Sequence, residues 1–128
     1  MNGSPKKPLI AIIDDDEPYR EATAGLMKSL GFAVAAFPSA VDFLQSSDLR
    51  NTCCLMTDIN MRPMTGLELY DHLVRSGYPI PTILITAYPD DTARVRALAD
   101  GVICYLSKPC NEDALVECIR SALKRTKP

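Results

Sequence analysis

Four places in the chain set a chemically capable side chain at the end of a short apolar run. Leu9-Ile10-Ala11-Ile12-Ile13 leads into Asp14-Asp15-Asp16-Glu17, and Cys53-Cys54-Leu55-Met56-Thr57 leads into Asp58. Pro81-Thr82-Ile83-Leu84-Ile85 ends in Thr86, and Val102-Ile103-Cys104-Tyr105-Leu106 is followed by Ser107-Lys108-Pro109. Short apolar runs bounded by polar residues read as buried parallel strands. In an open parallel sheet, ligands bind in the crevice at the carboxyl ends of the strands. Asp14, Asp15, Asp58, Thr86 and Lys108 are therefore expected along one sheet edge. Three close carboxylates raise one another's pKa unless a cation neutralises them. Oxygen donors around an open site suit Mg²⁺, with Mn²⁺ as a substitute. A lysine suits an anion beside the metal, and a hydroxyl suits a phosphoryl oxygen. The set fits phosphoryl chemistry on a carboxylate.

The elements that must hold these residues follow in order. After the first run, Pro18 falls in the first turn of a helix, where a missing N–H costs little. Tyr19, Ala22, Leu26, Met27 and Leu30 recur at helical spacing, and Gly31 ends the helix. A second strand covers 32–37. Ser39-Ala40-Val41-Asp42 resembles a capping box opening a short helix through Leu44. Thr65-Gly66-Leu67-Glu68 is a second such pattern, opening a helix with Leu69, Tyr70, Leu73 and Val74 inward and closed by Gly77. The 91–100 segment reads as a short, less apolar helix anchored by Val95 and Leu98, ended by Gly101. Asn111 caps a last helix with Leu115, Ile119, Ala122 and Leu123 on one face. Five strands alternating with five helices over short connections give a parallel sheet covered on both faces, because crossovers are right-handed.

Composition narrows the class. The 128 residues suit one domain, 47% of them are hydrophobic, and the net charge of −2 shows no basic excess for direct nucleic-acid binding. No run approaches the roughly 20 apolar residues of a membrane helix, and the lysines near the start precede no apolar signal core. A cytoplasmic protein without membrane contact is expected. Residues 1–8 read as a disordered or tag-like segment, 9–124 as the domain, and 125–128 as a tail or linker start. The five cysteines form no Cys-x-x-Cys pair and read as small buried hydrophobes in a reducing compartment. The only histidine, His72, lacks paired ligands, which disfavours zinc.

Over 8–123 the chain resembles a response-regulator receiver domain of two-component, phosphorelay signalling, with the CheY-like fold. The resemblance rests on Ile13-Asp14-Asp15-Asp16, on Asp58 with Met61, Met64 and Gly66, on Ile85-Thr86-Ala87, on Tyr105 and on Lys108-Pro109. It implies a three-layer, doubly wound, flavodoxin-like α/β fold with strand order 2-1-3-4-5. It also implies that Asp58 is the phosphoacceptor, served by a sensor histidine kinase or phosphotransfer protein. Asp15, Asp58 and the Asn60 carbonyl would ligate Mg²⁺, with Asp14 acting through metal-bound water. Lys108 would pair with the acceptor or its phosphoryl oxygens, behind a cis Lys108-Pro109 bond. Thr86 and Tyr105 would be the switch pair. The readout would be the face of the fourth helix, fifth strand and fifth helix, acting on an output domain or downstream protein. Phosphorylation-dependent homodimerisation and transcription regulation are further implications. Two positions depart from the pattern: Arg62 stands where a proline usually follows Met61, and Cys110 where an aromatic usually follows Lys-Pro.

Blander readings apply to single residues. Asp16 and Glu17 read as ordinary first-turn acids, Met61 and Met64 as packing, and Tyr88 as an exposed loop aromatic or a flank of the site entrance. Two rival functions stand beside the resemblance. Asp14-x-Asp16 after a strand resembles the first motif of haloacid-dehalogenase-type phosphohydrolases, with Asp14 as nucleophile. The other is a pseudo-receiver, a scaffold that is never phosphorylated.

Overall fold

The computed structural model describes residues 7–125. The expectations for the first six residues and for 126–128 lie outside the described residues. The elements run β1 (Leu9–Ile13), α1 (Glu17–Ser29), β2 (Ala33–Phe37), α2 (Ala40–Leu44), β3 (Thr52–Asp58), α3 (Gly66–Arg75), β4 (Thr82–Thr86), α4 (Asp91–Ala99), β5 (Cys104–Ser107) and α5 (Glu112–Lys124). A 3₁₀ turn over Leu49–Asn51 precedes β3 and was not expected from the pattern. The sheet has the order β2-β1-β3-β4-β5 with every pair parallel, the doubly wound architecture that the sequence implies. Register levels the strand ends: Ile13 pairs with Thr57, Asp58 with Ile85, and Thr86 with Ser107.

The central strands β1, β3 and β4 are buried on both sides because each side is covered. Ile10, Ile12, Cys54, Met56, Ile83 and Ile85 point to the layer formed by α1 and α5. Ala11, Ile13 and Leu55 point to the opposite layer, against Phe43, Leu69 and Leu73. Helix starts are set locally. Asp16 caps α1 by accepting from the Tyr19 N–H, and Thr65 with Glu68 forms a reciprocal capping box at α3. Asp16 is thus the cap itself, not a first-turn acid.

Three expectations need correction. Val74 is 46% exposed, because the inward stripe of α3 is Leu69 and Leu73 and Val74 lies one step further round the helix. Val95 and Leu98 are 58% and 39% exposed, so neither anchors α4. The anchor is Ala97, at 1% exposure, packed near Leu84 and Val102 where only a small side chain is needed. Among the cysteines, Cys104 of β5 and Cys118 of α5 are joined as a disulfide, their Cα atoms 6.2 Å apart. Cys53, Cys54 and Cys110 are free, and burial pushes the Cys54 thiol up to about 12.

Gly66 opens α3 directly against the end of β3. Its N–H donates to the Ile59 carbonyl at 3.0 Å, and a Cβ there would run into the Asp58 carbonyl oxygen. Backbone cannot yield as a flexible side chain does. Gly66→Ala is expected to lower the unfolding free energy by about 1–3 kcal/mol, the usual cost of overpacking, in urea titrations.

Candidate functional site

The level strand ends bring the five chemically capable residues together. Asp14 follows β1, Asp58 ends β3, Thr86 ends β4, and Lys108 follows β5. One carboxylate oxygen from each of Asp14, Asp15 and Asp58 lies within 4.8 Å of the others. Asp14, Asp58 and Thr86 are buried, while Asp15 is exposed and gives the cluster its opening to solvent.

Lys108 is the cation among these carboxylates. Its Nζ donates to Asp14 Oδ2 at 2.8 Å and stands 3.9 Å from Asp58 Oδ2. The backbone steers it there, since the Lys108 N–H donates to the Thr86 carbonyl at 2.8 Å. The Lys108-Pro109 bond is cis, as the resemblance implies, and so is Arg62-Pro63 in the loop after β3. That loop places Met61 in the core, so the displaced proline leaves the packing role of Met61 intact.

Asp14 is held on several sides. Its Oδ1 accepts from the Asp16 N–H at 2.9 Å, and its carbonyl accepts from the Arg20 guanidinium at 2.7 Å. Asp58 is held more loosely: its Oδ1 accepts a long 3.4 Å bond from the Asn60 N–H. Burial pushes the Asp58 carboxyl above the ordinary range; Lys108 opposes this, and Asp14 adds to it. Lys108 loses hydration in the same place, yet its bond and attraction to Asp14, then Asp58, leave its ammonium held above the ordinary lysine value.

Thr86 donates its hydroxyl to Asn60 Oδ1 at 2.7 Å and accepts from the Tyr88 N–H at 3.0 Å. Tyr105 is half-buried, and its hydroxyl accepts from the N–H of Asp90, the N-cap of α4. The Asn60 side chain is therefore engaged with the threonine, a contact that no sequence pattern signals. Sequence reasoning also missed Tyr19, read only as one of the residues recurring at helical spacing in α1. Its ring centroid lies 4.4 Å from Lys108 Nζ, and its hydroxyl donates to Cys110 Sγ at 3.4 Å. No spacing rule links residue 19 to residues 108 and 110; only the fold does. Tyr88 is 75% exposed beside the site.

Chemically, the cluster offers hard anionic oxygens that suit a divalent cation, one loosely held carboxylate, a fixed ammonium and a hydroxyl that can change partner. The Asp58 shift carries a sign. A carboxyl whose folded pKa is raised binds its proton more tightly when folded, so stability falls as pH rises from the ordinary 3.8 through the folded value. Asp58→Asn is expected to stabilise the metal-free protein at neutral pH, with the gain shrinking below pH 3.8. Paired urea titrations at the two pH values check this.

The chain is similar to known proteins over most of its length. A family model described as the response regulator receiver domain matches residues 10–120. The response regulator protein TodT of Pseudomonas putida is 37% identical over 122 residues, covering 94% of this chain and 53% of that protein. The transcriptional regulatory protein FixJ of Rhizobium meliloti is 36% identical over 114 residues, covering 88% and 55% respectively. The chain thus spans about half the length of these curated relatives. Among solved structures, FixJ-N superposes with a TM-score of 0.84 at 31% identity, covering 97% of this chain and 99% of that one. The response regulator StyR gives 0.85 at 37% identity, covering 93% and 60%.

Proposed function

The chain belongs to the response regulator receiver domain family, and on that premise we propose that it is a phosphorylation-activated switch with Asp58 as phosphoacceptor. One observation carries the assignment. A buried, loosely held carboxylate shares a ligand-sized cluster with Asp14 and Asp15 while Lys108 stands at its edge. The domain is taken as residues 9–124 in a cytoplasmic protein.

In the proposed transfer, an Asp58 carboxylate oxygen attacks the phosphorus of a phosphohistidine on a sensor kinase or phosphotransfer protein. The P–O bond forms as the P–N bond breaks, and the departing imidazole takes up a proton. Mg²⁺, or Mn²⁺, would be held by Asp15, Asp58 and the Asn60 carbonyl, and when bound it neutralises charge on the transferring group. Asp14 suits a role through metal-bound water, since Lys108 and the Asp16 N–H already engage its oxygens. Lys108 is placed to follow the new charge, moving from Asp14 towards the phosphoryl oxygens.

The switch follows from what each group gains. A phosphoryl group adds charge and strong acceptor oxygens. Thr86 exchanges Asn60 for a phosphoryl oxygen, and its shift vacates space beside β5 into which Tyr105 turns, releasing the Asp90 N–H. Only the phosphorylated state offers these contacts, so the population shifts to it. The N-cap residue of α4 makes that tyrosine contact through its own backbone N–H, and α4 is held by little apolar surface. The face of α4, β5 and α5 is therefore the proposed readout, acting on an output domain or downstream partner, with homodimerisation as one consequence. The FixJ relatives are transcriptional regulatory proteins by name, which supports transcription regulation as the output.

Family membership sets the haloacid-dehalogenase reading aside, and Asp14 is the most fully engaged carboxylate, a poor nucleophile. Intact-mass measurement after incubation with phosphoramidate is expected to show one phosphoryl adduct that requires Mg²⁺ and disappears in Asp58→Asn. Asp14→Asn is expected to retain the adduct with formation slowed by about tenfold or more. An adduct on Asp58→Asn would sink the assignment, and no adduct on any form would favour the scaffold.

A further inference from the structure

Lys108 is a long, flexible side chain whose useful destinations are two carboxylates and, in the proposed switch, the phosphoryl group between them. Its ammonium donates to Asp14 Oδ2 at 2.8 Å and stands 3.9 Å from Asp58 Oδ2. The face of the Tyr19 ring lies against the same ammonium, 4.4 Å from the centroid, within the range of cation–π attraction. The lysine side chain is only 14% exposed as a result of these neighbours.

Tyr19 is held through its backbone and through its hydroxyl. Its backbone N–H donates to the Asp16 cap at 3.2 Å, and its carbonyl accepts from Thr23 Oγ1 at 2.9 Å. Its hydroxyl donates to Cys110, which lies two residues beyond Lys108 on the same strand-end loop. Burial, then the contact with Cys110, holds the phenol far above its ordinary pKa, so the hydroxyl stays a neutral donor. α1 and the loop after β5 are thereby joined through one aromatic ring, and the lysine runs along it.

We infer that Tyr19 is a positioning residue for Lys108, its ring confining the ammonium to the arc between Asp14 and Asp58. The aromatic face attracts the cation without offering an anion that would compete with the phosphoryl group. Loss of the ring lets the ammonium turn towards water, where a lysine is strongly hydrated. The inference rests on the phosphoacceptor reading above and adds the residue that aims its lysine.

The test uses the wild-type chain, Tyr19→Leu, Tyr19→Phe, and the same leucine change in a Lys108→Ala background. The first readout is the chemical shift of the Lys108 ε-methylene protons, which a ring face moves upfield. The second is the rate of adduct formation from phosphoramidate at fixed Mg²⁺. The expected result is an upfield shift in the wild type that is lost in Tyr19→Leu and kept in Tyr19→Phe. The rate is expected to fall about tenfold in Tyr19→Leu, equivalent to about 1.4 kcal/mol in barrier height. Tyr19→Phe is expected to restore most of it, and Tyr19→Leu to change nothing further once Lys108 is alanine. A Tyr19→Leu protein as fast as wild type overturns the inference alone. So does an equal slowing in the Lys108→Ala background, which would mark a merely structural role. A wild type that forms no adduct overturns the phosphoacceptor reading, and the positioning role falls with it.

Discussion

One ammonium group shared between two buried carboxylates is the constraint on which the rest of this structure depends. Burying Asp14 and Asp58 costs hydration that neither can recover alone. Lys108 returns part of it, most to Asp14 at 2.8 Å and less to Asp58 at 3.9 Å. This inequality leaves Asp58 the less satisfied carboxylate, and burial raises its pKa despite the pull of Lys108. To deliver the lysine, the chain needs β5 beside β4 and in register, so that the Lys108 N–H meets the Thr86 carbonyl. To deliver the carboxylates, β1 and β3 must be neighbours, although α1, β2 and α2 separate them along the chain. The strand order is thus the condition for the site.

The helices are attached unequally, and the inequality has a direction. α1 and α5 bury Met27, Leu115, Ile119 and Ala122 against one sheet face, and α3 buries Leu69 and Leu73 against the other. α4 buries only Ala97 and presents Val95 and Leu98 to solvent. Elements with few buried apolar contacts open at the lowest free energy. The lightly held helix is also the one whose N-cap N–H reaches Tyr105. By contrast, the Cys104–Cys118 bond ties β5 to α5, joining a strand next to the site to one of the better-packed helices. The proposed readout face therefore combines a loosely held member with a pair that is covalently linked.

Where the sequence was legible, a local rule was strong. Continuous apolar runs such as Ile10 to Ile13 located the strands, because a strand covered on both faces cannot alternate. Thr65 and Glu68 announced the start of α3 through a reciprocal bond that needs nothing beyond four residues. Apolar character misled at α4, since Val95 and Leu98 looked like anchors while the sheet accepted only Ala97. Periodicity shows which residues share a helix face but not which face the sheet will meet. The cysteines failed for a different reason: Cys104 and Cys118 are fourteen residues apart with no motif between them. Only the packing of α5 across the sheet brings their sulfurs together.

The sequence by itself determined the parallel α/β class, the residue types at the strand ends and the family they resemble, because each depends on short-range pattern and side-chain chemistry. Asp14, Asp15, Asp58, Thr86 and Lys108 stand out from the pattern alone as polar residues closing apolar runs. Tertiary structure alone decided how their bonds are distributed. It gave Lys108 mainly to Asp14, engaged the Thr86 hydroxyl with Asn60, and laid the Tyr19 ring against the lysine. Those contacts span 26 to 94 residues of chain, and the partner of a long, flexible or rotatable polar group is set by what the fold places around it.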